Sequence, residues 1–122
     1  MFQGEQKMSD LESHLILAVD DDPISLRLLQ GALQKSDFKV ITASNGKEAR
    51  EKLIELGFHQ FLCVVSDYRM PEMTGLELSQ WIAKEDKTLA CLLLSAEADK
   101  QMIADSMREG VLDFLEKPLV LS

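Results

Sequence analysis

Five short runs rich in apolar residues, separated by stretches of helical period, leave this chain few ways to fold. Leu15–Val19, Phe61–Val65 and Leu89–Leu94 are apolar throughout, Phe38–Ala43 alternates and is β-branched, and Leu112–Leu115 is shorter. Runs of this length suit strands buried on both faces of a sheet. Between them, Pro23–Lys35 carries Ile24, Leu28, Leu29, Ala32 and Leu33 at helical spacing, with Pro23 suited to a first turn. Lys47–Leu56 follows the turn Ser44-Asn45-Gly46, sets Ala49, Leu53, Ile54 and Leu56 on one side, and stops at Gly57. Thr74 can cap a helix reaching Lys84, with Glu77 completing a capping box. Ala98–Glu109 spaces Met102, Ile103, Ser106 and Met107 for one face, and Gly110 closes it. Strands alternating with helices predict an α/β fold: a doubly wound, five-stranded parallel sheet with right-handed crossovers and helices on both faces.

Residues 1–13 are polar and aperiodic and read as a tail, leaving 14–122 as one domain among the 122 residues. A net charge of −8 argues against a nucleic-acid grip made by neutralising phosphates. The longest unbroken apolar run, Leu89–Leu94, is far short of a membrane span, and Met1–Lys7 has no apolar signal core. Cys63 and Cys91 sit in apolar runs and form no CxxC pair, which suits small buried hydrophobes in a reducing, cytoplasmic setting.

In a sheet of this kind the working residues gather beyond the carboxyl ends of the strands, near the switch in strand order. The first run is followed by Asp20, Asp21 and Asp22, the third by Asp67, the fourth by Ser95 and the fifth by Lys117. Clustered carboxylates repel one another unless a cation joins them. Mg²⁺ takes oxygen ligands, commonly one or two carboxylates with waters and a substrate phosphate. A lysine adds a compact positive charge for phosphoryl oxygens.

Four segments carry a resemblance to the receiver domain of two-component response regulators. They are Leu15–Pro23, Val64–Gly75, Leu93–Ala96 and Phe114–Pro118. The resemblance implies a flavodoxin-like fold, like that of chemotaxis regulators, with strand order 2-1-3-4-5. It implies that Asp67 is the phosphoacceptor and that Asp20 and Asp21 hold Mg²⁺, Asp21 more directly. It also gives the backbone carbonyl of Arg69 to the metal, Ser95 to the phosphoryl group and Lys117 to a phosphoryl oxygen. Phe114 becomes a switch residue that swings inward when Ser95 is drawn to the phosphate. Arg69 and Glu97 flank the phosphoryl group, where opposite charges could pair and slow hydrolysis. The implied partners are a sensor histidine kinase or histidine phosphotransfer protein as donor, and an output domain or downstream protein as target. The catalysis implied is limited to the domain's own phosphorylation and dephosphorylation.

Plainer readings stand beside these. Asp22, directly before Pro23, suits a helix N-cap. Phe114, Met102 and Met107 suit core packing, Trp81 a partly buried helix position, and His14 and His59 the surface. A rival class is an aspartate-nucleophile phosphatase attacking through Asp20, which leaves Asp67 and Met70-Pro71 without a role. A third is a receiver-like interaction module that is never phosphorylated. The chain also departs from the receiver pattern. Only Leu119–Ser122 follow Lys117-Pro118, too few for a stable last helix. This predicts the N-terminal receiver of a larger regulator, with the last helix truncated or absent. Sheet surface left uncovered would favour a homodimer.

Overall fold

The apolar runs form strands whose side chains divide between two faces. The structure, a computed structural model, describes residues 15–96, 101, 104 and 113–116. Its strands are β1 (Leu15–Val19), β2 (Lys39–Ala43), β3 (Cys63–Asp67), β4 (Ala90–Ser95) and β5 (Asp113–Glu116). Its helices are α1 (Pro23–Lys35), α2 (Gly46–Leu56) and α3 (Gly75–Glu85), with a 3₁₀ turn at Phe58–Gln60. The sheet order is β2-β1-β3-β4-β5, and every pair is parallel. Gln101 and Ala104, the described residues of the Ala98–Glu109 segment, are helical. The predicted tail and the residues expected in place of a last helix lie outside the described residues.

Alternation along the strands builds two cores. Leu17, Val19, Val64, Cys91 and Leu93 pack with Ala49 and Leu53 of α2 and Leu78 and Ile82 of α3. Ile16, Ala18, Val65 and Leu94 pack on the other side with Leu29 and Leu33 of α1. Helices on both faces are therefore the consequence of period-two strands that are apolar on each side.

Several boundaries differ from the sequence reading. β3, β4 and β5 each run past their apolar residues to a polar one, because ladder pairing engages the backbone whatever the side chain. Asp67 pairs with Leu94, and Ser95 with Glu116. Phe61 and Leu62 drop out of β3 because the 3₁₀ turn closes on Phe61, whose N–H donates to the Phe58 carbonyl at 3.2 Å. The expected core stripes of α1 and α2 are also narrower. Ile24 and Leu28 are 70% and 71% exposed, and Ile54 is 64% exposed. They lie outside the sector of each helix that faces the sheet.

Local chemistry sets the helix ends. Asp22 caps α1, accepting from Ile24 N–H at 3.1 Å and from Ser25 Oγ at 2.9 Å. Thr74 and Glu77 form the expected capping box, with bonds of 3.0 and 3.1 Å. Asn45 caps α2 through Glu48 N–H at 2.7 Å. The Lys52 ammonium ties α2 to the edge strand β2 by donating to the Thr42 carbonyl. At its far end α1 closes in a Schellman motif, with Phe38 N–H on Leu33 carbonyl and Asp37 N–H on Gln34 carbonyl. The motif puts Asp37 at φ 69°, a left-handed position that favours glycine. Asp37→Gly is expected to raise stability by about 0.5–1 kcal/mol, seen as a higher urea midpoint at unchanged slope.

The strand register separates the cysteines. Cys63 pairs with Ala90, and Val64 with Cys91, so the two thiols belong to opposite cores. They cannot form a disulfide with each other in this fold. Burial pushes the Cys91 thiol up to about 12, against a weaker opposing hydrogen bond with Ser79. Trp81 packs on Phe58 at 5.6 Å between ring centroids, and the Arg50 guanidinium lies over it at 4.8 Å.

Candidate functional site

The carboxyl ends of β1 and β3 are neighbours in the sheet, so the acidic residues that follow them meet. One carboxylate oxygen from each of Asp20, Asp21 and Asp67 lies within 4.8 Å of the others. Asp20 and Asp67 are buried, at 2% and 6% exposure, while Asp21 is open to solvent. Asp20 is held from two directions. Its N–H donates to the Ala43 carbonyl at 3.2 Å, and its Oδ1 accepts from Asp22 N–H at 3.0 Å. Three carboxylates converging on one point, two of them out of water, form an oxygen donor set suited to a hard divalent cation.

Asp67 ends β3 where the chain must reverse into α3. Tyr68 N–H continues the ladder to the Leu94 carbonyl at 2.9 Å, and Gly75 N–H then returns to the Tyr68 carbonyl at 2.8 Å. The turn is tight enough that a β-carbon on Gly75 would stand 2.2 Å from the Asp67 carbonyl oxygen. Between them Tyr68 and Met70 turn inward, at 8% and 7% exposure, and Arg69 turns out. A cleft of about 440 Å³ opens beside the acidic cluster, lined by Asp21, Tyr68, Arg69, Met70, Pro71 and Thr74.

Ser95 ends β4 on the same rim. It is fully buried, and its hydroxyl has no hydrogen-bond partner among the described residues. A buried hydroxyl left unsatisfied is costly, and such a group calls for a ligand.

The structure thus brings Asp20, Asp21 and Asp67 together, places Ser95 on their rim and puts Arg69 at the cleft. Phe114 is in β5, its backbone opposite Leu93. The inward swing assigned to its ring, and the roles of Glu97 and Lys117, fall outside the described residues. Sequence reasoning missed the seats that glycines provide. Gly75 entered only as part of a motif and Gly46 only as a turn residue, yet each marks a point where another segment fills the space of a side chain. Asp37 and Glu72, which carry positive φ, also gave no sequence signal.

Comparison with known proteins accords with this geometry. The response regulator receiver domain family matches residues 16–122. The two-component response regulator ARR10 of Arabidopsis thaliana is 36% identical over 104 residues, covering 85% of this chain and 18% of that protein. The chain spans about a fifth of the length of several curated relatives that it matches. Among solved structures, a response regulator receiver domain protein from Clostridium thermocellum superposes with a TM-score of 0.81 at 26% identity. That match covers 87% of this chain and 83% of the other. TrrA from Thermotoga maritima, solved in complex with Mg²⁺ and BeF, gives 0.75 at 30% identity, covering 86% of this chain and 87% of the other.

Proposed function

Since the chain belongs to the response regulator receiver domain family, a family of signalling domains in two-component systems, we propose that it accepts a phosphoryl group on Asp67. The observation carrying this reading is the convergence of Asp20, Asp21 and Asp67 on the rim that also holds the unsatisfied Ser95 hydroxyl. The family match leaves the phosphatase reading, with Asp20 as nucleophile, without support.

An Asp67 carboxylate oxygen attacks the phosphorus of a phosphohistidine on a sensor kinase or phosphotransfer protein. The P–N bond breaks, its electrons and a proton stay with the departing imidazole, and Asp67 becomes a mixed anhydride. Asp20, Asp21, Asp67 and the Arg69 carbonyl are the groups that would hold Mg²⁺, which supplies positive charge against the equatorial oxygens of the transition state. Lys117 adds a second positive charge. The Ser95 hydroxyl donates to a phosphoryl oxygen and so gains the partner it lacks. Arg69 and Glu97 flank the anhydride and set its exposure to water. The new contacts shift the population between two packings of Ser95 and Phe114, which an output domain or partner reads. No external substrate is turned over.

The setting proposed is the cytoplasm. No helix among the described residues is long and apolar enough to cross a membrane. Intact-mass measurement after incubation with acetyl phosphate and Mg²⁺ tests the reading. A Mg²⁺-dependent gain of one phosphoryl group is expected, and no gain from a folded protein overturns it.

The exposed pair Ile24 and Leu28 stands one turn apart on α1, which begins directly beyond Asp20–Asp22. Apolar side chains open to solvent beside the acceptor suit contact with a helix of the donor. The double substitution Ile24→Glu and Leu28→Glu is expected to slow transfer from a phosphohistidine protein about tenfold or more, each lost apolar contact counting for about 1 kcal/mol. Uptake from acetyl phosphate, which needs no docking face, should stay at the wild-type rate. Equal slowing with both donors would remove α1 from the donor interface.

A further inference from the structure

We infer that Gly46 is a positioning residue for the metal site, because the space left by its missing side chain seats Met73 and thereby holds the acceptor loop in a strained turn. This rests on the receiver reading above.

The loop between Asp67 and α3 contains a γ-turn. Met73 N–H donates to the Pro71 carbonyl at 2.7 Å, and the central residue, Glu72, has φ 68°. The positive-φ form of this turn is the rarer and more strained of the two. Strained backbone persists where surrounding structure holds it in place. Here Met73 reaches back to the first residue of α2. A β-carbon on Gly46 would lie 2.6 Å from Met73 Sδ, 2.9 Å from its Cγ and 3.0 Å from its Cβ. Moving the tip of the methionine would not clear its Cβ, so the clash reaches the loop backbone.

Gly46 is a glycine for space and not for conformation. Gly57 is the glycine with positive φ among the described residues. Gly46 is a buried helical residue, where alanine would otherwise be preferred. It cannot yield easily, because the Asn45 side chain caps the helix directly before it.

The same corner also touches the other half of the site. Ala43, the last residue of β2, accepts from Asp20 N–H. One rigid corner, β2 running into α2, therefore meets Asp20 through Ala43 and the acceptor loop through Met73. On the loop side the path from Met73 to Arg69 crosses Pro71 and the buried Met70, and the Arg69 carbonyl is the group assigned to Mg²⁺. A shift of Met73 displaces that carbonyl while leaving the carboxylates in place.

Isothermal titration with Mg²⁺ on wild type, Gly46→Ala, Met73→Ala and the double variant tests this, with urea midpoints measured alongside. Gly46→Ala is expected to bind Mg²⁺ severalfold more weakly, since the Cβ contact asks for a shift of a few tenths of an ångström, less than the displacement of about 1 Å that can cost about 10²-fold at a catalytic group. Met73→Ala should weaken binding severalfold by releasing the turn. Adding Gly46→Ala to Met73→Ala should cost less than Gly46→Ala does in the wild type, because the two nearest atoms, Sδ and Cγ, are gone and only the Cβ contact at 3.0 Å remains. Wild-type affinity in Gly46→Ala or in Met73→Ala would overturn the inference, as would a double variant in which Gly46→Ala costs as much as it does in the wild type. Should Gly46→Ala fail to fold, Met73→Ala alone carries the test. A wild type that neither binds Mg²⁺ nor takes up phosphate would instead sink the receiver reading, and this inference with it.

Discussion

Asp67→Asn is expected to abolish Mg²⁺-dependent uptake of a phosphoryl group from acetyl phosphate, reducing the mass gain from one group per chain to none. The amide lacks the charged oxygen that attacks phosphorus, and the neighbouring carboxylates are poorly placed to replace it. Asp21 is exposed, and Asp20 is oriented by two backbone bonds. The substitution also removes one negative charge from three oxygens gathered within 4.8 Å. In the wild type, Mg²⁺ at a hundredfold excess over its dissociation constant should stabilise the fold by about 2.7 kcal/mol through linkage. Asp67→Asn should lose most of that dependence, which thermal unfolding with and without Mg²⁺ would show. A mass gain that survives the substitution would place the acceptor elsewhere, with Asp20 the next residue to replace.

Gly75→Ala should be the most damaging small substitution near the site. The added methyl would meet the Asp67 carbonyl oxygen at 2.2 Å and Leu93 Cδ2 at 3.0 Å. A backbone oxygen in the middle of a sheet cannot turn aside as a flexible side chain can. Either α3 backs away from β3 or the end of β3 moves. Overpacking of this kind destabilises by about 3 kcal/mol, sometimes more. Chemical denaturation should show a lower midpoint, and phosphoryl uptake should fall even where the protein remains folded, because the residue displaced is the proposed acceptor. Stability and uptake both equal to wild type would mean that α3 can retreat freely.

The fold was legible in the sequence wherever burial follows a simple period. Leu15–Val19 and Leu89–Leu94 are apolar on every residue, and Leu15–Val19 and Ala90–Leu94 became strand with a core on each side. Thr74 and Glu77 announced their helix through chemistry confined to four neighbouring residues. Strand ends were harder, because Asp67, Ser95 and Glu116 are paired through their backbones while their side chains resemble loop residues. The helix stripes were overread for a related reason. Ile24 and Leu28 fit a helical spacing, but only the sheet determines which sector of α1 is covered, and it covers Leu29 and Leu33. The acidic cluster could be anticipated because topology brings strand ends together. The seats at Gly46 and Gly75 could not, since each depends on how closely one segment approaches another far away in the chain.

Trp81 is the chain's only tryptophan. It stands on the helix that the acceptor loop leads into, with Phe58 against its ring and the Arg50 guanidinium over its face. Its emission therefore depends on how α3 sits against α2, and a change in that packing alters the quenching of its fluorescence. The protein thus carries a built-in optical reporter of how its second and third helices pack, readable in real time without a dye or a label.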